Sequence, residues 1–273
     1  MIELKGKLIA DKIKGEVSSK LEKAPSSYEL AIIRIGDNND QVTYENSAKK
    51  KLSEAGINVK SYVFDSNISN DQFYENFKQI NDEENVKGIL LLKPLPSNID
   101  EIRIAETINP RKDLDGISPY NFYKACQGKE GNLPCTPVAV LEILKGYNIE
   151  LKGKNAVIVN RSLVVGKSLA MLLLKEDCTV TICHSKTQNL KEITSKADVV
   201  IFAIGSPRKF DSTYIKEGAV VIDVSINQDE NGKLCGDCDY ESMITKASAI
   251  TPVPGGVGVV TSMILGKHFV QNL

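Results

Sequence analysis

The chain has 273 residues, of which 42% are hydrophobic and 25% are charged, and its formal net charge is -1. This balance is typical of a globular protein with enough chain for two ordinary domains. The near-neutral charge gives no reason to expect nucleic acid or an anionic membrane as a partner. No apolar run reaches the roughly 18 residues of a membrane span, and the charged N-terminus lacks the apolar core of a signal peptide. We therefore expect a cytoplasmic protein.

Apolar runs alternate with helical patterns through the first half of the chain. Strands are predicted at Glu29–Ile35, Asn58–Phe64 and 86–92, and helices at 41–55 and 71–80. Proline cannot donate to a strand ladder, so Pro94 and Pro96 end the third strand.

The pattern restarts after the sequence LPCTP at 133–137. Helices are predicted at 138–144, after the loop around Gly166 through Leu174, and at 259–271. Strands are predicted at Asn155–Val159, Thr179–Cys183, 198–203 and 219–224. Such alternation predicts an α/β fold with parallel sheets and helices on both faces. We place one domain at 1–137 and a Rossmann-like domain at 138–256, with the C-terminal helix 257–273 packing back on the first domain.

Six cysteines are present, and Cys235 and Cys238 form a C-x-x-C pair. A zinc site would need two more soft ligands, and the chain has only two histidines. A redox pair usually opens a helix after a strand, whereas these flanks are typical of a turn. The third interpretation, two incidental reduced thiols, is the one we favour, and we predict no metal site.

The stretch AVIVNRSLVVGKSL at 156–169 predicts a strand, a tight turn and the start of a helix. Such a turn directs backbone N–H groups and the positive helix end toward a pyrophosphate. Asn160, Ser162 and Gly166 occupy the positions of the usual glycine fingerprint. Asn160 could replace a glycine because asparagine tolerates a left-handed backbone. An ordinary strand-to-helix turn is the alternative.

The end of the next strand bears on which dinucleotide would bind. NAD-specific folds usually carry a carboxylate there, which binds the ribose 2′-hydroxyl. This chain has CHSKT at 183–187, without a carboxylate. Ser185 can donate to a 2′-phosphate, and Arg161 or Lys186 can supply positive charge. The sequence thus favours NADP, with NAD as the alternative.

Eight segments together carry a family resemblance over nearly the whole chain. They are YENSAKKKLSEAGI (44–57), GILLLKPLP (88–96), KDLDGISPYN (112–121), LPCTP (133–137), NRSLVVGK (160–167), CHSKT (183–187), GAVVIDVSIN (218–227) and TPVPGGVG (251–258). In this order and spacing the chain resembles the methylenetetrahydrofolate dehydrogenase/cyclohydrolase family.

The resemblance implies a homodimer of one-carbon metabolism and purine biosynthesis. Each protomer would have an N-terminal α/β catalytic domain and a C-terminal NADP-binding domain, with tetrahydrofolate derivatives bound between them. Tyr44 would stack on the folate ring system and Asp115 would bind the pterin, both as catalytic-site residues. By position, further folate contacts would come from Pro254, Gly255 and Gly256, and cofactor contacts from Asn160, Arg161, Ser162, Ser185, Ile226, Gly258 and Thr261.

The chemistry of the residues agrees with part of this assignment. A pterin presents an amino group and a ring N–H side by side, and the carboxylate of Asp115 can accept from both. Without the resemblance, a solvated loop acid would be the simpler interpretation of Asp115. The glycines at 255, 256 and 258 allow a backbone to approach a flat ligand closely, although a mobile loop would have the same composition.

The chain departs from the family pattern at two neighbouring positions. The family has a catalytic lysine where this chain has Ala48, and a glutamine that orients the lysine where it has Leu92. Lys49 is rotated about 100° around the helix from the lysine position. Lys93 is a candidate replacement amine, although adjacent strand residues point to opposite faces.

The two reactions depend differently on these residues. Hydride transfer depends mainly on holding two rings face to face, whereas cyclohydrolysis needs proton transfer. We therefore expect a dehydrogenase whose cyclohydrolase activity is strongly reduced or lost. The alternatives are a bifunctional enzyme that uses Lys93 as its base, a folate- or nucleotide-binding paralogue without turnover, and a dehydrogenase for another small substrate.

Overall fold

The structure, a computed structural model, describes residues 1–129 and 131–273, which divide into two compact units. The large-sheet unit comprises Met1–Asp11 and Thr136–Thr261, and the small-sheet unit comprises Lys12–Cys135 and Ser262–Leu273. Helices α1 (Gly6–Leu21) and α10 (Val257–Gln271) each begin in the first unit and end in the second.

The small-sheet unit is built on three parallel strands in the order β3-β2-β4. Its further elements are β2 (Glu29–Ile35), α2 (Asn39–Glu54), β3 (Asn58–Phe64), α3 (Asn70–Asp82), β4 (Val86–Leu91), α4 (Glu101–Thr107) and α5 (Pro119–Cys126). Every residue of the central strand β2 is buried, as expected for a parallel strand covered on both faces. Ile33 and Ile89 of the sheet pack with Phe73 and Phe77 of α3 in one core cluster.

The large-sheet unit contains six parallel strands in the order β1-β11-β8-β7-β5-β6. Its elements are β1 (Ile2–Glu3), α6 (Cys135–Gly146), β5 (Asn155–Val159), α7 (Ser168–Lys175), β6 (Thr179–Cys183), α8 (Leu190–Thr194), β7 (Val199–Phe202), β8 (Val220–Asp223), a hairpin of β9 (Asn227–Gln228) and β10 (Leu234–Cys235), α9 (Tyr240–Met243) and β11 (Ala249–Ile250). A stacked pair, Phe202 and Phe210, lies in its core with ring centroids 4.2 Å apart.

The predicted α/β class with parallel sheets is confirmed, and strands β2, β3, β5 and β6 have the predicted bounds. One assignment differs at the N-terminus. Residues 1–137 were expected to form one domain, but Ile2 pairs with Ala249, and this places the first residues in the six-stranded sheet. The short strand β1 gives no periodic signal of its own, because it has only two residues.

The predicted C-terminal helix begins at Val257, and its residues from Ser262 onward belong to the small-sheet unit. A Cβ built on Gly266 would lie 3.3 Å from Ile57 and 3.5 Å from Val17, so α10 packs closely on this unit. None of the helices in the described ranges is both long and apolar enough to cross a bilayer.

Candidate functional site

A short turn between α4 and α5 presents the predicted pterin-binding carboxylate. Asp113 forms a parallel bridge with Ile89 of β4. Its carboxylate accepts from the backbone N–H groups of Ile117 at 3.0 Å and Ser118 at 2.8 Å, and from the Asn121 amide at 2.9 Å. These bonds close the turn around Gly116, which adopts a positive φ of 60°. Asp113, which the sequence did not single out, therefore holds the loop that carries Asp115.

Asp115 is itself anchored at the start of α6. The backbone N–H of Cys135 donates to its Oδ1 at 2.9 Å. Burial raises the pKa of Asp115 above its usual value, while the bonds from Cys135 and the positive charge of Lys93 act in the opposite direction. Asp115 is thus a partly buried acid with a fixed orientation. The Cys135 N–H occupies one acceptor position of Oδ1, which leaves acceptor capacity for a ligand.

Tyr44 lies beside this acid on helix α2. The helix begins at an Asn38 cap, whose side chain accepts from the backbone of Asp40 and Gln41. The Tyr44 side chain remains 39% exposed. Burial around its hydroxyl raises the pKa of Tyr44, and the negative charges of Cys135 and Asp115, when ionised, add to this shift. Tyr44, Asp115 and Cys135 therefore form one cluster in the small-sheet unit.

The two positions at which the resemblance implies a departure from the family pattern are buried and apolar. Ala48 is fully buried on α2, one turn beyond Tyr44, and Leu92 is only 5% exposed. Lys93 follows Leu92 outside the strand, because β4 ends at Leu91. The expected alternation of strand side chains therefore does not govern Lys93. Its ammonium forms an ion pair with Glu101.

Helix α2 carries a buried polar face that sequence reasoning missed. Arg34 of β2 donates through Nε to Glu45 at 2.8 Å, and both side chains are nearly buried. Gln41 donates through Nε2 to the Pro94 carbonyl at 2.8 Å. A signal was present in the sequence, since Gln41, Glu45 and Ala48 share one helical face, but only contacts show that this face is buried.

A histidine near the C-terminus also contacts the Asp115 turn. His268 of α10 is buried, and its Nδ1 lies 2.8 Å from the Leu114 carbonyl oxygen. The Cys135 thiol is 3.5 Å from the same oxygen. A contact over 154 positions along the chain leaves no local sequence pattern.

In the large-sheet unit, Asn160 organises the turn after β5 through its side chain. Its Oδ1 accepts from the backbone N–H groups of Ser162 at 2.8 Å and Gly166 at 3.1 Å, and its Nδ2 donates to Ala203 at 2.6 Å. The expectation of a left-handed backbone was wrong, because Asn160 is not among the described residues with positive φ. The side chain, and not backbone freedom, replaces the first glycine of the fingerprint.

The rest of the turn depends on Gly166 and Ser162. A Cβ on Gly166 would lie 2.1 Å from the Asn160 carbonyl oxygen, so only glycine fits there. Ser162 accepts from the Val165 N–H at 3.1 Å and caps a π-helical turn, Leu163–Lys167, that leads into α7. The turn thus brings a helix start close to the end of β5, the arrangement that binds a pyrophosphate.

Arg161 and Ser185 follow neighbouring strands. Val159 of β5 pairs with Cys183 of β6, and each of the two residues lies two positions beyond its strand. Both are exposed, and the Arg161 guanidinium forms no hydrogen bond or ion pair with the residues that the structure describes. A cation and a hydroxyl therefore follow two paired strand ends, and their roles toward a 2′-phosphate stay predictions.

The glycine loop before α10 lies in the large-sheet unit. Pro254 follows a cis peptide bond, and Gly255 has a φ of 111°. A Cβ on Gly256 would lie 2.6 Å from the Pro252 carbonyl oxygen. Gly258 and Ile226 are neighbours, since a Cβ on Gly258 would lie 3.0 Å from Ile226. Thr261, one helical turn after Gly258, donates to its carbonyl oxygen at 3.2 Å.

Two buried carboxylates, which the sequence pattern did not indicate, hold the segments that follow β7 and β8. Asp237 accepts from the backbone of 204–206 and from the side chains of Ser225 and Asn227. Asp223 accepts from the backbone of Asp237 at 3.0 Å and Cys238 at 2.8 Å, and burial raises its pKa to about 6. Together they hold the residues that follow β7 and β8.

The C-x-x-C pair consists of two buried, free cysteines. Cys235 lies in β10, and burial raises the pKa of Cys238 well above its usual value. Over residues 1–129 and 131–273, no group of three or more His, Cys, Asp or Glu side chains is arranged to hold a metal ion.

Comparison with known proteins matches both units. Residues 4–115 match the family model of the tetrahydrofolate dehydrogenase/cyclohydrolase catalytic domain, and residues 134–273 match that of its NAD(P)-binding domain. The bifunctional protein FolD of Clostridioides difficile is 46% identical over 272 residues, covering 98% of this chain and 95% of the relative.

Solved structures agree with these matches. The bifunctional methylenetetrahydrofolate dehydrogenase/cyclohydrolase of Campylobacter jejuni is 41% identical, with a TM-score of 0.96 over 100% of this chain and 98% of the other. The Trypanosoma brucei enzyme, solved with NADP cofactor and inhibitor, is 31% identical, with a TM-score of 0.92 over 100% of this chain and 97% of the other.

Proposed function

Because this chain belongs to the tetrahydrofolate dehydrogenase/cyclohydrolase family, we propose that it oxidises 5,10-methylenetetrahydrofolate to the 5,10-methenyl form with NADP⁺. Its cyclohydrolase activity, which would convert the product to 10-formyltetrahydrofolate, is strongly reduced or absent. The observation that carries both parts is that the Tyr44–Asp115–Cys135 cluster is assembled while Ala48 and Leu92 beside it are buried and apolar.

Folate binding rests on the small-sheet unit. Asp115 accepts from the ring N–H and the amino group of the pterin, and Cys135 fixes the orientation of its carboxylate. The exposed ring of Tyr44 offers a flat surface on which the folate ring system stacks. Pro254, Gly255 and Gly256, which lie in the large-sheet unit, stay predicted folate contacts on the family resemblance.

NADP binding rests on the large-sheet unit. The turn at 160–166, held by the Asn160 side chain, presents the positive end of the following helix to the pyrophosphate, and Arg161 and Ser185 bind the 2′-phosphate. Ile226, Gly258 and Thr261 lie together at the nicotinamide end. The nicotinamide supplies the hydride acceptor, and the protein contributes binding and orientation.

The hydrolytic step lacks its proton-transfer group. An alanine at position 48 cannot donate or accept a proton, and Leu92 cannot orient an amine. Loss of one positioned acid or base typically lowers a rate by about 10²–10⁴-fold. Lys93, the candidate replacement amine, is held in an ion pair with Glu101 of α4.

Assembly and location are part of the proposal. We infer a homodimer from the family resemblance. We also infer a cytoplasmic protein, which is supported by the six free cysteines, since disulfides are rare in that compartment.

Two separate assays test the function. One follows NADPH formation from methylenetetrahydrofolate, and the other follows hydrolysis of added methenyltetrahydrofolate without NADP. We expect reduction of NADP and hydrolysis close to the uncatalysed rate. Absence of NADP reduction would favour a non-catalytic folate- or nucleotide-binding paralogue. Rapid hydrolysis that disappears in Lys93→Ala would establish the bifunctional alternative with Lys93 as its base.

A further inference from the structure

The chain after Asp113 runs alongside β4 and brings Asp115 toward Lys93. Ile89 donates to the Lys112 carbonyl at 2.6 Å and accepts from the Leu114 N–H at 3.1 Å. Ile89 and Asp113 form a parallel bridge, so continuing this register places Asp115 beside Leu91 and Lys93 two residues further along. Lys93 is near enough for its positive charge to act on the Asp115 carboxylate.

The ammonium of Lys93 is restrained but retains free donors. Glu101 of α4 accepts one of its N–H groups in an ion pair. An ammonium has three donors and no acceptor, so within the described part of the chain two N–H groups remain available for a ligand. About a third of the Lys93 side chain stays exposed, which leaves space for that ligand.

Gln41 fixes the segment that carries Lys93. Its Nε2 donates to the carbonyl of Pro94, the residue directly after Lys93, at 2.8 Å. Its Oε1 is buried without a hydrogen-bond partner in the described part of the chain. A buried acceptor without a partner destabilises the folded state, so core stability does not explain a glutamine here. We therefore assign to Gln41 the role of holding Pro94 through this hydrogen bond.

We propose that Lys93 determines substrate specificity by donating a hydrogen bond to the 4-carbonyl oxygen of the pterin, and that Gln41 is its positioning residue. This inference rests on the proposed function. Along one edge of a pterin, a carbonyl acceptor is followed by a ring N–H donor and an amino donor. The ammonium of Lys93 and the carboxylate of Asp115 match this edge. The ammonium donates to the carbonyl oxygen, and the carboxylate accepts from the ring N–H and the amino group.

Lys93→Met tests the proposal, because methionine keeps much of the length and loses the charge. The two probes are tetrahydrofolate and its 4-amino-4-deoxy analogue, in which the carbonyl acceptor becomes a donor. The unchanged protein is expected to bind tetrahydrofolate more tightly than the analogue. In Lys93→Met, we expect the Kd for tetrahydrofolate to rise about tenfold, while the Kd for the analogue stays the same or falls. Lys78→Met, at an exposed position of α3, is the matched control.

The ratio of the two dissociation constants is the deciding quantity, measured by calorimetry. An unchanged ratio in Lys93→Met overturns the proposal, even if both constants rise together. If the unchanged protein does not bind tetrahydrofolate at any concentration, the proposed function itself is refuted. That outcome is distinct from an unchanged ratio of the two dissociation constants.

Gln41→Met tests the positioning role. We expect a partial loss of preference for the 4-carbonyl probe and a higher KM for methylenetetrahydrofolate, together with equal or higher thermal stability. Lower stability with an unchanged ratio would show that Gln41 has a structural role alone.

Discussion

The backbone N–H of Cys135 donates to the Asp115 carboxylate over 2.9 Å, and Cys135 is also the first residue of α6. A partly buried acid is thus held by the start of a helix on one side and by the Asp113 turn on the other. Burial raises the pKa of Asp115, although Cys135 and Lys93 oppose this effect. Protonation near this raised pKa removes acceptor capacity that the pterin requires.

Asp115→Asn should therefore change both affinity and pH dependence. In the unchanged protein, we expect the KM for methylenetetrahydrofolate to rise as the pH falls toward the raised pKa, because only the ionised carboxylate accepts from both pterin donors. The variant should show a KM about 10–100-fold higher, with this pH dependence removed. Steady-state kinetics from pH 5 to 8 measure it, with Glu75→Gln on the exposed face of α3 as control. A KM that keeps its acidic rise in the variant would assign the titration to another group.

Ser185→Asp should shift the choice of cofactor. The new carboxylate would lie beside Arg161 at the end of β6, where it repels a 2′-phosphate and can accept from a ribose 2′-hydroxyl. We expect kcat/KM for NADP to fall about 100-fold and that for NAD to fall less or to rise. The same charge introduced by Ser27→Asp in an exposed loop is the control. Equal losses with both cofactors would remove Ser185 from the 2′-phosphate site.

Gly166→Ala should disturb the turn after β5. The added Cβ would lie 2.1 Å from the Asn160 carbonyl oxygen, so the backbone must shift. We expect about 1–3 kcal/mol of lost stability and a higher KM for NADP. Gly15→Ala is the matched control, because nothing lies within 4 Å of its Cβ. That helical change should stabilise the protein by about 0.5–1 kcal/mol. Chemical denaturation measures both variants, and similar behaviour of the two would contradict the close contact.

How far the sequence predicts this molecule depends on how local each signal is. Strand β2 was predicted with its observed bounds because seven consecutive residues, all buried, form an apolar run ended by Gly36. Asp115 and Tyr44 were assigned to the site through a family pattern; they lie in one cluster, and their roles stay predictions. By contrast, β1 has two residues and pairs with a strand about 247 positions away, and such pairing leaves no local pattern.

The polar contacts around the site were beyond the sequence for a similar reason. The Asn160 side chain forms three bonds within its turn and the start of the next helix, whereas sequence reasoning assigned its role to backbone conformation. Arg34 and Glu45 are ordinary charged residues until contacts show that they are paired and buried. Residue type predicts that a buried charge needs a partner, but it does not predict which charges are buried.

The stability of the large-sheet unit should depend on pH through Asp223. Burial raises its pKa to about 6 in the folded protein, against a usual 3.8. A raised carboxylate pKa contributes stability that is fully present below the unfolded pKa and is lost as the pH rises through about 6. The difference is about 2 kcal/mol between pH 4 and 7. Asp223→Asn should remove this part of the pH dependence, measured as the free energy of unfolding in urea.

Asp198 provides a control, because its pKa is shifted in the opposite direction to that of Asp223. The Lys216 ammonium and the Asn155 N–H hold the pKa of Asp198 below its usual value, so its contribution is present above the unfolded pKa and is lost as the pH falls. Asp198→Asn should therefore reduce the loss of stability at acidic pH. If the two variants change the pH dependence of the unfolding free energy in the same direction, the burial of Asp223 does not cause the loss of stability expected as the pH rises.

Restoring the family pair should restore hydrolysis. Ala48→Lys alone places an amine at a fully buried position and should destabilise the protein, because a buried charge without a partner is unfavourable. With Leu92→Gln the amine gains a neighbouring acceptor. We expect the double variant to hydrolyse methenyltetrahydrofolate about 10²–10⁴-fold faster than the unchanged chain. The control, Ala48→Met with Leu92→Gln, has similar side-chain length and no amine, so it should show no gain. Hydrolysis that is already fast in the unchanged chain, and that neither double variant improves, would mean that this protein has a proton-transfer group elsewhere, with Lys93 the first residue to substitute.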